Sequence, residues 1–179
     1  MLPTSDDSKS QEKDPRNKVT RQTDVSLSTD TSVPEFTLGW EFVGLRDTTV
    51  FFRHVHALLG PDSALVLEES CMARDVRSFV EAHPAKPLGR IRPGTLWPRS
   101  RWHWLPTSSE VLDGLARLSE RHAEPEMCDH LYAVSEGCLV VAWHDAFGGP
   151  LFVSNGISED RVRNFSRAIG ITPSAWQAG

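Results

Sequence analysis

HLYAVSEGCLVVAWH, residues 130–144, followed after Gly148-Gly149-Pro150 by LFVS at 151–154, is the stretch that decides the fold. His130–Ser135 and Cys138–His144 are short apolar runs rich in β-branched and aromatic residues, as strands are. Glu136-Gly137 is a two-residue connection suited to a primed turn, because glycine accepts positive φ at low cost. Gly148-Gly149-Pro150 turns the chain again, so three strands form a meander and the sheet is mostly antiparallel. Register follows by counting from a two-residue turn: Ser135 opposes Cys138, Ala133 opposes Val140, Leu131 opposes Ala142, and Asp129 opposes His144. Opposed Cβ atoms stand about 4.5–5.5 Å apart, so an acid and an imidazole meet at the open end of the hairpin.

Upstream, helical spacing recurs. Phe51, Val55 and Leu58 share one face of a helix over residues 48–59, with Asp47 as N-cap and Gly60-Pro61 as its stop. Val76, Phe79 and Val80 line a second helix over residues 71–82, which Ser70 can cap. Thr107 and Glu110 read as a capping box opening a third, whose Val111, Leu112, Leu115 and Leu118 run toward His122. A fourth follows Ser158, with Glu159 and Asp160 where the helix dipole favours anions and Gly170 at its end. Residues 64–68 form another strand. Residues 95–104 read as a broken strand interrupted by Pro98, of a kind suited to a sheet edge. The pattern predicts an α+β domain: a mostly antiparallel sheet with a C-terminal three-stranded meander, and helices packed mainly on one face.

From Lys86 to Trp104 the chain carries five cations and three tryptophans but no carboxylate, within a chain of net charge −5. Arg99, Arg101 and His103 alternate with Trp102 and Trp104. Arginine forks suit an anion and tryptophans can stack on bases, so Arg90, Arg92, Trp97, Arg99, Arg101, Trp102 and His103 form the candidate binding set. The same alternation suits a half-buried strand with tryptophans inward and arginines in water.

The remaining composition sets bounds. Residues 1–34 hold no aromatic residue and few aliphatics, and are expected to be a disordered polar leader. One domain is expected over 35–170 and a C-terminal tail over 171–179. Three cysteines without a CxxC argue against a disulfide framework or thiolate zinc site, and a cytoplasmic protein is expected. No apolar run approaches the ~20 residues of a membrane span.

Cys71, at the mouth of a strand-to-helix turn, could draw on helix amides that lower a thiol pKa and hold an oxyanion. With His144 and Asp129 it would complete a Cys-His-Asp set for acyl transfer. Two glutamates before the cysteine oppose thiolate formation, and the sequence leans away from an enzyme. Alternation separates His144 from Cys128 and His130, so no metal site is expected, and no cofactor motif is present. The sequence favours a non-catalytic binding module for a protein or small-anion partner. A hydrolase or transferase is the first alternative; nucleic-acid binding through residues 86–104 is the second.

Overall fold

At Glu136-Gly137 the chain reverses in two residues, both at positive φ (52° and 77°), as a primed turn requires. The computed structural model describes residues 36–89, 91, 100–146 and 148–178. The leader expected over 1–34 lies outside the described residues, as do Arg90, Arg92, Trp97 and Arg99.

The architecture is α+β. Seven strands form one antiparallel sheet: β1 (Leu38–Phe42), β2 (Ser63–Glu69), β3 (Arg101–Pro106), β4 (His130–Ser135), β5 (Cys138–Trp143), β6 (Leu151–Ser154) and β7 (Ser174–Gln177). Their spatial order is β3-β2-β4-β5-β6-β1-β7. The helices are α1 (Thr48–His54, continued by a 3₁₀ turn at Val55–Ala57), α2 (Arg74–Ala82), α3 (Ser109–Ser119), α4 (Glu124–Met127) and α5 (Glu159–Ile169). Among the described residues no helix is long and apolar enough to cross a membrane.

Two strands escape the pattern of the sequence. β1 contains a glycine and a charge in five residues, and β7 lies in the stretch expected to be a tail. They pair with each other, and β1 also pairs with β6, extending the meander to the sheet edge. β7 lacks apolar alternation and is largely exposed, whereas β1 does alternate, with Leu38, Trp40 and Phe42 apolar, but over only five residues and without a turn pair to announce it.

The hairpin register departs from simple counting. Ser135 opposes Cys138 and Val134 opposes Leu139, but Ala133 then opposes Val141, so Val140 is an extra, bulged residue. Val140 and Val141 both join the main core, whereas Leu139 and Ala142 join a second cluster on the other face. Beyond the bulge every pairing is displaced by one: Tyr132 opposes Ala142, and Leu131 opposes Trp143. Asp129 therefore does not oppose His144. It is His130 whose ring lies 5.7 Å from that of His144.

The main core joins α1, α2, α3 and α5 to alternate residues of the strands, including Leu65, Leu67, Leu131 and Trp143. The second cluster consists of Val66, Tyr132, Val134, Leu139 and Ala142, covered by Phe36, Ile91, Trp102 and Trp104. None of these residues is helical. Instead the connector between α2 and β3 approaches this face: Ala85 donates to the Trp104 carbonyl at 2.7 Å, and Ile91 packs on the cluster.

Helix ends differ in detail from the sequence reading. α2 begins at Arg74 with Ala73 as N-cap and no side-chain cap, so Ser70 does not cap it. Ser108, not Thr107, caps α3 by accepting from the Val111 amide, while Thr107 Oγ1 donates to the Ser63 carbonyl at 3.2 Å. α3 ends at Ser119, and α4 follows unheralded by periodicity because it is one turn long.

His122 joins these helices by bonding Asp75 at 2.9 Å and lying 3.4 Å from Glu126. The bond to Asp75 raises the imidazole above its ordinary 6.5, and the bond from His122 lowers the Asp75 carboxyl below its ordinary 3.8. A raised base stabilises below its unfolded pKa and loses that contribution as pH rises through its folded value. A lowered acid stabilises above its unfolded pKa and loses its contribution on acidification. The pair should therefore contribute most between about pH 4 and 6.5. Urea midpoints of the wild type and His122→Gln should differ most in that window and converge by pH 9; a pH-independent difference would contradict this linkage.

Candidate functional site

Where β2, β4 and β5 end on the face of the second cluster, Glu68, His130, Tyr132 and His144 gather. Glu68 is fully buried, and the Tyr132 hydroxyl donates to its Oε2 at 3.3 Å. Burial of a carboxylate is rare without such partners. Trp102 stacks on the Tyr132 ring, with centroids 5.8 Å apart and planes at 13°. His130 Nδ1 accepts from the Asp145 amide at 2.9 Å, which in the neutral ring leaves the proton on Nε2. Asp145 sits at φ 45°, a strained conformation for a side-chain-bearing residue, and this turn delivers its amide to the imidazole. The His144 ring lies 5.5 Å from Tyr132.

Beside this cluster a cleft of about 270 Å³ opens between β5, β6 and β7. Phe36, Phe152 and Trp176 wall it, Leu139 and Ala142 lie at its base, and His144 contributes the imidazole. The Trp176 ring meets Phe152 at 4.8 Å and Phe36 at 5.9 Å, both within the range of favourable aromatic contacts.

On the opposite face of β2, Glu69 is equally enclosed. Arg77 donates from Nε and Nη2 at 3.2 and 3.1 Å, the Met72 amide donates at 3.1 Å, and His103 Nε2 stands 3.4 Å away. Burial pushes this carboxyl upward, but the Arg77 fork, the Met72 amide and His103 outweigh it and hold it below its ordinary value. Neither glutamate entered the candidate set. Two adjacent carboxylates closing an apolar strand, with an arginine eight residues later, were the signal available.

The candidate catalytic residues are distributed differently from the expected set. Asp129 lines another cleft, with Glu124 and Asp145, and its Oδ2 is buried there without a hydrogen-bond partner. His144 lines the aromatic cleft. Cys71 is exposed, and its thiol lies 3.5 Å from the Pro125 carbonyl. α2 starts at Arg74, three residues after it, so Cys71 stands outside the helix rather than at its first turn. Cys128 is buried, and desolvation, reinforced by Asp129 and Glu68, drives its thiol far above its ordinary value. The bulge does bring His130 and His144 together, contrary to the alternation read from sequence. Among the described residues no three His, Cys, Asp or Glu side chains are placed to hold a metal ion.

Of the candidate binding residues, Arg101 is exposed on the edge strand β3. Trp102 and Trp104 pack on the second cluster, so at least part of their surface serves the fold. His103 does not share solvent with Arg101; it points to Glu69. Compared with protein-family models, characterised proteins and solved structures, the chain matches none.

Proposed function

We propose that this chain is a non-catalytic binding module that takes an acidic protein segment on the sheet face of the second cluster, seating one apolar side chain in the aromatic cleft. The observation that carries this reading is the cleft of Phe36, Phe152 and Trp176. Its volume of about 270 Å³ is below the usual range for small-molecule pockets, roughly 300–1,000 Å³, and suits a single side chain. Charge supports an acidic partner. The segment from Lys86 to Arg101, with Arg90, Arg92 and Arg99, contains no carboxylate, and its Ile91 packs on the second cluster, to which Leu139 and Ala142 of the cleft also belong. Complementary charge would speed association and select partners, while the apolar anchor supplies affinity.

The test follows the Trp176 indole N–H by NMR in the full chain. A synthetic Asp-Glu-Phe-Glu-Asp peptide should shift it saturably, with a Kd on the order of 0.1–1 mM, and bind about tenfold tighter than N-acetyl-phenylalaninamide. That advantage should shrink in ~0.5 M salt. Absence of any Trp176 response, or equal binding of a peptide with alanine in place of phenylalanine, would overturn the reading. Tighter binding of an oligothymidylate at the same indole would favour nucleic acid instead.

A further inference from the structure

We propose a second binding site, for a small aliphatic carboxylate, in the cleft between the β4–β5 turn and the N-terminus of α5. This cleft has a volume of about 500 Å³, inside the range of small-molecule pockets. It is separate from the aromatic cleft, with which it shares no lining residue.

Two sources of hydrogen-bond donors border it, and a third lies beside it, outside its lining. The first is the start of α5, an 11-residue helix whose N-cap, Ser158, makes no side-chain capping bond. The earliest helical bond runs from Val162 to the Ser158 carbonyl, so the amides of Glu159, Asp160 and Arg161 have no acceptor within the helix. Arg161 is the second source. Its Nη1 donates to the Leu58 carbonyl at 3.3 Å, which anchors one arm of the fork beside Gly60. Among the described residues no carboxylate forms an ion pair with it. Ser63 is the third. It is 5% exposed, and its hydroxyl is buried without a hydrogen-bond partner. A buried hydroxyl left unsatisfied is uncommon and calls for a ligand or another explanation.

Arg161 and Ser63 converge at Gly60, which lines the cleft. The position a Cβ would take on that glycine lies 3.7 and 3.9 Å from the two terminal nitrogens of Arg161 and 4.0 Å from Ser63 Oγ. Ser135, the cross-strand partner of Ser63, lines the cleft. The remaining wall is apolar: Leu58, Val140 and Ile157 are each at least nine-tenths buried.

Charge selects the class of anion. One guanidinium matches the planar oxygen pair of a carboxylate. Glu136 in the lining, and the exposed Glu159 and Asp160 in the first helical turn, oppose a dianion such as phosphate. The apolar wall gives the hydrocarbon part of the ligand a place that an inorganic anion cannot use.

Isotope-labelled full chain titrated with 4-methylpentanoate should show saturable shifts at the amides of Ile157 to Arg161, with a Kd on the order of 1 mM. Inorganic phosphate should bind about tenfold more weakly or not at all. Arg161→Gln, on an exposed helical position, should weaken the carboxylate about tenfold, and Ser63→Ala should weaken it severalfold. Failure of the wild type to saturate by ~10 mM ligand would overturn the assignment. So would equal affinity for phosphate, or unchanged binding by a folded Arg161→Gln.

Discussion

Replacing Arg77 with methionine should lower the unfolding free energy by about 3 kcal/mol at neutral pH, with most of that loss disappearing on acidification. The cost arises from the partner left behind. Glu69 is 1% exposed, whereas the Arg77 side chain is 31% exposed, so removing the arginine strands a carboxylate that water cannot reach. Breaking a buried pair in this way typically costs about 3–5 kcal/mol. The lower end applies because the Met72 amide and His103 remain bound to the same carboxylate.

The pH dependence distinguishes this mechanism from lost packing. In the native protein Glu69 is held below its ordinary 4.5, so it stabilises above that value and the contribution fades as pH falls through the folded pKa. Without Arg77, the upward push of burial is opposed only by the Met72 amide and His103, so the carboxyl titrates higher than in the wild type. The variant's deficit therefore grows with pH across the range where the wild-type carboxylate is ionised and the variant's is not yet. Urea unfolding of both proteins at pH 4 and pH 7 measures the contrast. A deficit equal at both values would show that the aliphatic stem of Arg77, not its charge, is what matters. Glu69→Gln should cost less, since a neutral amide keeps the volume and leaves an arginine able to turn to solvent.

The α+β class and four of the helices are legible in the sequence because each element announces itself by local means: a turn pair at Glu136-Gly137, an Asp47 cap, a glycine at 170. Elements stabilised by non-local pairing are not. β1 and β7 hold together by backbone bonds across more than 130 residues; β7 has no apolar rhythm, and the short Leu38, Trp40, Phe42 alternation of β1 does not disclose its partner. The bulge is invisible for a related reason. Leu139, Val140, Val141 and Ala142 are all apolar, so the run remains plausible in either register, and a slip of one residue exchanges Asp129 for His130 beside His144. That single insertion dissolves the expected acid–imidazole pair and creates the histidine–tyrosine–glutamate cluster. Similarly, the Arg and Trp alternation around residue 102 is real, but it cannot show that His103 would be drawn inward by a buried Glu69 on the neighbouring strand.

Trp143 carries the other large expected effect. It is completely buried at the end of β5, with its ring 5.2 Å from Phe51, and it belongs to the cluster that binds α1 and α5 to the sheet. Its Nε1 also donates to the Gly149 carbonyl at 2.9 Å, tying the strand to the turn that begins β6. Trp143→Ala removes both contributions and should cost about 3–5 kcal/mol, a large share of a typical domain's 5–15 kcal/mol. Trp143→Phe keeps most of the ring contact but deprives a carbonyl of its donor, and about 1–3 kcal/mol should be lost. Denaturant unfolding of the three proteins separates packing from hydrogen bonding, provided the denaturant slope stays constant. If phenylalanine proves as damaging as alanine, the indole bond to the turn, more than the volume of the ring, keeps β5 and β6 in register. A fully tolerated alanine would mean that the core around Phe51 can close over the vacancy, contrary to the close packing on which helix-to-sheet docking here rests.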